Sequence, residues 1–264
     1  MSGEIEGLYL PDYAVELFLE VESKTRQPVV VYKEDAIGYD SELRVAGPVR
    51  PFHEIAISPG YWDYKVHFVV NALYKLWRLW EVPEKERYCP ASESGRMLPL
   101  GEHFELFFKN RGLSKERFES LSRFLYEGIV RQLTSMTMDI RVERELAGFL
   151  PEHKPQQVEY LSRQVRDLEP SFNPKLLSVA PERIYAASSA MNVVLAEEAG
   201  EIAGVAPGSL ITGSAYHGMG ERLRELLNSV AEDGAEGDRV ATDLWAKELE
   251  LEDWFGWARM GELG

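Results

Sequence analysis

Polar side chains recur along one side of the apolar segment from Asp63 to Trp80, at a spacing that could assemble a reactive site. An α-helix turns by about 100° per residue, so residues four positions apart share a face. The rest of the segment is mainly Val, Leu, Phe and Trp, which predicts a helix buried over most of its surface. We therefore expect the polar stripe to line an internal cleft, and its members are Asp63, His67, Asn71, Tyr74, Lys75 and Arg78.

Short apolar runs before this helix predict the small β-sheet that must position it. PVVVYK begins at Pro28, SELRVAG at Ser41 and HEIAIS at His53, and each has the length or alternation of a short strand. Helical spacing over Tyr13–Thr25 precedes them. Pro59 ends the third strand, so the stripe helix follows directly.

Helical spacing dominates the rest of the chain, after a predicted loop over residues 87 to 100. We predict long helices over residues 114 to 149, 155 to 168 and 181 to 203, with Ser114 as an N-cap. A short helix is predicted over 221 to 231, and the segment GAEGD from Gly234 is predicted to be a turn or linker. The tail from about Thr242 is predicted to be an amphipathic helix that docks through Leu244, Trp245, Leu249 and Trp254.

These elements predict an α+β protein that is mainly α. A small N-terminal sheet packs on a helical core, and a helical C-terminal region follows it. The predicted division places residues 1–168 in the core and residues 169–264 in the C-terminal region, with a single domain as the alternative.

Composition and charge restrict the classes of function. The 264-residue chain has a formal net charge of −15, which lacks the basic footprint of a nucleic-acid-binding protein. It contains no apolar run long enough to span a membrane, and its acidic first residues lack the basic region of a signal peptide. The single cysteine, Cys89, excludes an internal disulfide and a cysteine-only zinc site. We therefore predict a cytoplasmic protein without nucleic-acid or membrane partners.

The order of motifs around the stripe helix resembles one enzyme family. Zinc peptidases place His, Glu and His at positions i, i+1 and i+4 of a buried helix. The succession of HEIAIS, Ser-Pro, the helix, LWRLW and Pro-x-x-Glu-Arg resembles the ImmA/IrrE-type zincin-like metallopeptidases. When their Ala-His-Glu-x-x-His-Ile-Leu-Arg helix is laid over FVVNALYKLWRL, the three motif positions fall on Asn71, Ala72 and Lys75.

A second segment extends the resemblance. QLTSMTMDIRVER, from Gln132 to Arg144, resembles the downstream helix that supplies an acidic third ligand in such proteins. Asp139 and Glu143 lie one turn apart and are the two candidates for that position. The resemblance covers about half of the chain, between residues 29 and 164, and is one of pattern.

The departures from the family motif determine what the resemblance implies. Asn71 and Lys75 replace both histidine ligands, and Ala72 replaces the general base. A lysine ammonium has no free lone pair for zinc at neutral pH. The resemblance therefore implies a zincin scaffold with a dismantled metal site, no catalytic residues and no cofactor, which acts by binding a protein or peptide.

Two other functions stay open on the sequence. One is a metal-dependent hydrolase with a rearranged zinc site built from His67, Asp139 and Glu143. The other is a helical interaction protein unrelated to zincins, whose polar stripe is an ordinary helix face. On the degenerate-site interpretation, Lys75 is expected to form a salt bridge with Asp139 or Glu143, because a buried ammonium needs a counter-charge. Glu102, His103 and Glu105 are expected to be ordinary polar residues.

Overall fold

A computed structural model describes residues 2–5, 8–91, 104, 107, 114–178, 180–231 and 233–260. The protein is α+β and mainly α, as predicted. Its helices within these ranges are α1 Asp12–Thr25, α2 Lys65–Glu81, α3 Lys115–Phe149, α4 Lys154–Leu168, α5 Glu182–Ala203, α6 Ser209–Thr212, α7 His217–Ser229 and α8 Gly234–Glu248. The strands are β1 Ser2–Ile5, β2 Leu8–Pro11, β3 Val29–Lys33, β4 Ser41–Arg44, β5 His53–Ile57, β6 Tyr88–Ala91 and β7 Gly256–Arg259.

Two compact units share the chain, and both are discontinuous in sequence. The first contains Met1–Cys89, Val142–Tyr160 and Ala258–Gly264, and the second contains Pro90–Arg141 and Leu161–Trp257. The predicted domain division after residue 168 stays a prediction. The loop predicted over residues 87 to 100 is wrong at its start, which forms β6, and the rest of it lies outside the described residues. Glu102, His103 and Glu105 also lie outside them.

The first unit is built on the predicted three-stranded sheet. The strand order is β3-β5-β4, with β3 parallel and β4 antiparallel to β5. The central strand is buried at His53, Ile55, Ala56 and Ile57. Helix α2 contacts both β5 and α1, which explains why two-thirds of its surface is apolar. β1 and β2 form a separate antiparallel pair that the sequence analysis did not predict.

The second unit has a helical core of its own. Buried side chains of α3, α5, α7 and α8 form one apolar cluster. Helices α5 and α7 approach closely at Gly220, where the methyl group of an alanine would lie 2.7 Å from a side-chain carbon of Val193. Ser114 precedes α3 and accepts a hydrogen bond from the Arg117 amide at 3.4 Å, which confirms the predicted N-cap.

The C-terminal elements differ from the prediction in part. The turn or linker predicted over GAEGD is wrong, because α8 begins at Gly234 and includes this segment. The predicted tail helix ends at Glu248 rather than running to the end of the segment, and Glu250 adopts a left-handed backbone with φ of 55° before β7 begins. Docking of the tail is confirmed at its centre, where Trp245, Leu249 and Trp254 are buried.

No helix in the described part of the chain combines the length and the apolar character that crossing a bilayer requires.

Candidate functional site

The predicted polar stripe lies on α2 and is mostly buried. His67, Asn71, Tyr74 and Arg78 are buried, and Lys75 is half-buried. Asp63 differs, because it is exposed and lies in the 3-10 turn that precedes the helix. The motif position Ala72 is also buried. The stripe therefore faces protein along most of its length, and its buried members need partners within the first unit.

Glu143 contacts the stripe at His67 and Asn71. Its Oε1 accepts a hydrogen bond from Asn71 Nδ2 at 2.5 Å and lies 3.2 Å from His67 Nε2. Its Oε2 accepts from Gln157 Nε2 at 2.7 Å, and the same amide also donates to the Glu143 carbonyl at 2.8 Å. The Glu143 side chain is 8% exposed. Both carboxylate oxygens are therefore satisfied by protein donors from α2 and α4.

The environment of Glu143 keeps it ionised. Burial acts to raise the pKa of its carboxyl group, because the anion loses its hydration. The positive charge of His67 and the hydrogen bonds from His67, Gln157 and Asn71 oppose burial and prevail, so that the pKa falls to about 2. Glu143 is therefore an anion at neutral pH, with His67 as one of its hydrogen-bond partners.

A chain of hydrogen bonds continues from His67 away from Glu143. His67 Nδ1 lies 3.2 Å from Nε2 of His153, and the two imidazole rings are stacked with an interplanar angle of 8°. His153 Nδ1 lies 3.4 Å from the Tyr13 hydroxyl, which donates to Gln156 Oε1 at 3.4 Å. Tyr160 stacks on His67 with ring centroids 4.5 Å apart. We name the set of His67, Asn71, Glu143, His153 and Gln157 the acid–histidine cluster.

The proton positions in this chain follow from hydrogen-bond geometry. Burial and the neighbouring His67 lower the pKa of His153 to about 3, against the opposing effect of Glu143. A neutral imidazole has one donor and one acceptor nitrogen. Because the Tyr13 hydroxyl donates to Gln156, His153 donates to Tyr13 through Nδ1 and accepts from His67 Nδ1 through Nε2. With this assignment, each hydrogen bond from His67 through His153 to Tyr13 has one donor and one acceptor.

The far end of the stripe forms a second, smaller network. Tyr74 donates to Glu145 Oε2 at 3.0 Å, and Arg78 Nη2 lies 3.4 Å from Glu145 Oε1. Burial and the Glu145 charge together raise the pKa of the Tyr74 hydroxyl to about 12. Tyr74 is therefore a hydrogen-bond donor at neutral pH and not a base.

The remaining predicted site residues are Asp139, Lys75 and the members of the alternative metal site. Asp139 precedes Glu143 by one turn of α3, belongs to the second unit and is half-buried. The predicted salt bridge of Lys75 with Asp139 or Glu143 stays a prediction. Among the residues that the structure describes, no group of three or more His, Cys, Asp or Glu side chains has an arrangement suited to holding a metal ion. His67 and Glu143 do meet, but as hydrogen-bond donor and acceptor.

Sequence reasoning missed three members of the site, namely Tyr13, His153 and Gln157. His153, in the 3-10 turn just before α4, and Gln157, in the first turn of α4, are four residues apart and both fully buried, although the sequence of this helix is polar. A histidine and a glutamine that share one face of such a helix are a signal of a buried polar contact. The α2 partner of His153 lies more than eighty residues earlier in the chain, so the sequence offered no local indication of it.

No family model, no curated protein and no solved structure matches this chain. The resemblance to the ImmA/IrrE-type metallopeptidases therefore stays a prediction that depends on the motif positions and on their surroundings.

Proposed function

We propose that this protein is a catalytically degenerate relative of zincin-like metallopeptidases that acts by binding a protein or peptide. The observation that carries the proposal is the hydrogen bond between Asn71 and Glu143. In the register of the family motif, Asn71 replaces the first histidine ligand and Glu143 corresponds to the acidic third ligand. Two positions that would share a metal in an active relative are here in direct contact.

The chemistry of the cluster supports loss of the metal site. Metal ligands direct their lone pairs at one common point. The donors of Asn71 and Gln157 are instead directed at the Glu143 carboxylate, and the two His67 nitrogens are engaged by Glu143 and His153. Both ring nitrogens of His67 are thus occupied by protein partners rather than directed at a metal position.

Restoring the motif tests the register directly. The variant Asn71→His/Ala72→Glu/Lys75→His recreates His-Glu-x-x-His on α2, with Glu143 in place as the acid. We expect about one zinc per chain in this variant by mass spectrometry of metals, and much less than one in the wild-type protein treated identically. A matched control, Asn71→His/Ala72→Glu/Lys75→Ala, lacks one ligand and should bind zinc far more weakly.

Two results would overturn the degenerate-site proposal. Stoichiometric zinc in the wild-type protein that is lost in His67→Ala, together with cleavage of casein, would favour the rearranged hydrolase. A folded restored variant that binds zinc no better than its control would show that the register is wrong, and a helical interaction protein unrelated to zincins would become the better description.

The binding role is tested by peptide selection. A protein with a net charge of −15 attracts basic segments, because opposite charges accelerate encounter and favour complementary surfaces. We expect peptides selected from a random library on the immobilised full-length protein to be enriched in Lys and Arg, and to dissociate more readily as salt is raised. A library that yields no binders, or none with a basic bias, would contradict this part of the proposal.

A further inference from the structure

A cavity in the second unit lies beside the docked tail. It has a volume of about 270 Å³ and is lined by Asp243, Ala246, Lys247, Glu252, Phe255, Gly256 and Trp257. Ligand sites for small molecules span roughly 300 to 1,000 Å³, so this cavity suits one side chain or an equally small group. We name it the Trp257 pocket.

Aromatic side chains form its apolar part. The rings of Phe255 and Trp257 are nearly perpendicular, with centroids 5.7 Å apart and an interplanar angle of 80°. Phe255 and Ala246 are buried, so they form the inner surface. The indole Nε1 of Trp257 donates to Asp243 Oδ1 at 2.8 Å, which ties the half-buried ring to helix α8. The pocket wall is therefore fixed before any ligand arrives.

The charges around the pocket favour a cation. Asp243 and Glu252 provide two carboxylates against one ammonium, that of Lys247. Asp243 is engaged by Trp257, and its Oδ2 lies 3.9 Å from Arg239 Nη1. Glu252 is exposed and forms no ion pair with another described residue. An aromatic ring attracts cations through its electron-rich face, and a carboxylate at the same pocket adds to that attraction.

We infer that the Trp257 pocket receives an arginine side chain of a basic peptide, with the guanidinium beside Trp257 and paired to Glu252. Guanidinium is the suited cation, because its plane stacks on aromatic rings and its paired N–H groups match a carboxylate. This inference rests on the proposed peptide-binding function and assigns it a location and a specificity. The net negative charge of the whole protein adds to the local attraction.

A titration monitored by NMR tests the assignment on the full-length protein. The probe is acetyl-Ala-Arg-Ala-amide, and the neutral isostere is the same peptide with citrulline in place of arginine. The readout is the indole N–H signal of Trp257, identified from its loss in Trp257→Phe. We expect saturable shifts with the arginine peptide and binding weaker by about tenfold or more with the citrulline peptide, because the ion pair and the cation–π contact are both lost.

Charge variants separate the pocket from the general field. Glu252→Gln should weaken arginine-peptide binding by about tenfold, whereas Glu225→Gln, which removes the same charge at an exposed position on α7, should leave it nearly unchanged. Equal binding of the two peptides, an unmoved Trp257 signal, or equal effects of the two variants would overturn the assignment. If selected library peptides bind while this probe leaves Trp257 unmoved, the proposed function stands and the pocket assignment fails. If the probe binds at Trp257 and the library yields no binders, the pocket assignment stands and the proposed function fails.

Discussion

The buried carboxylate of Glu143 is stabilised by hydrogen bonds from its neighbours. An isolated carboxylate loses several kcal/mol of hydration when it is buried, and a single partner often fails to offset that cost. Here three side chains, those of His67, Asn71 and Gln157, contact the two carboxylate oxygens. The cost of removing the acid is therefore expected to be large, since it would leave three buried polar side chains without their common partner.

The first prediction is a large loss of stability in Glu143→Gln. We expect the free energy of unfolding to fall by roughly 3 kcal/mol or more, the range found when one partner of a buried ion pair is removed. Urea denaturation at pH 7.5 measures it. Glu159→Gln, a change outside the cluster on α4, is the matched control and should stay within about 0.5 kcal/mol of wild type. Equal stability of the two variants would show that the Glu143 pair contributes little.

The second prediction concerns histidine protonation. Burial lowers the pKa of His53 to about 4 and that of His153 to about 3, while an unfolded histidine titrates near 6.5. Between these values the unfolded chain binds protons that the folded chain does not. The free energy of unfolding should therefore decrease as pH falls from about 6.5 towards 4, by about 1–2 kcal/mol per histidine at pH 5.

Urea denaturation at a series of pH values checks this. His153→Gln removes one titrating group and should flatten the pH dependence, whatever its effect on stability at pH 7.5. A free energy of unfolding that is constant between pH 7 and pH 5, or a slope unchanged by His153→Gln, would contradict the prediction.

At the scale of elements, the sequence predicted those helices and strands whose periodicity agrees with their burial. The three strands of the sheet and helices α1 to α5 lie close to their predicted ranges, because apolar spacing and proline or serine boundaries indicate the same limits. The segment GAEGD was wrongly predicted to be a turn or linker, because its two glycines disfavour a helix. In the structure Gly237 and Asp238 are buried on α8, so packing overrides the weak helix propensity of glycine.

The sequence predicted the residues that α2 and α3 contribute to the site, but not those from α1 and from the region of α4. The α2 stripe and the acid from α3 follow from helical spacing and from the family motif, and Glu143 does meet that stripe. The partners contributed by α4 and α1 come from distant sequence, and no local pattern links them to α2. Long-range polar contacts depend on tertiary packing, which periodicity does not encode.

The third prediction tests how α8 is held in the second unit. Trp245 is fully buried, and its indole N–H donates to the Leu223 carbonyl of α7 at 2.8 Å. Trp245→Ala should lower the free energy of unfolding by about 3–5 kcal/mol, through the lost apolar contact and the cavity left behind. Leu210→Ala, at a position 49% exposed, should cost less than about 1 kcal/mol. A Trp245→Ala variant as stable as Leu210→Ala would mean that α8 is not docked by this residue.

At the scale of the whole molecule, negative charge dominates. The formal net charge of −15 makes the folded chain repel itself, and salt screens that repulsion. The fourth prediction is that the melting temperature rises between about 10 mM and 150 mM sodium chloride, as the Debye length falls from about 30 Å to about 8 Å. Calorimetry measures it, and potassium chloride serves as the control for ion-specific effects. A melting temperature that falls with both salts would contradict the prediction.

The interleaving of the two units along the sequence has a consequence for the order of events during protein synthesis. Asn71 and Glu143 are separated by 72 positions, and ribosomes add about 5 to 20 residues per second. Asn71 is therefore added roughly 4 to 14 s before the acid that completes the polar stripe of α2. Through that interval Asn71 and His67 lack their partners, whereas the apolar side of α2 can already pack on α1 and β5. The buried polar contacts of α2 can thus form only after α3 and the start of α4 have been synthesised, which makes them a late event of folding.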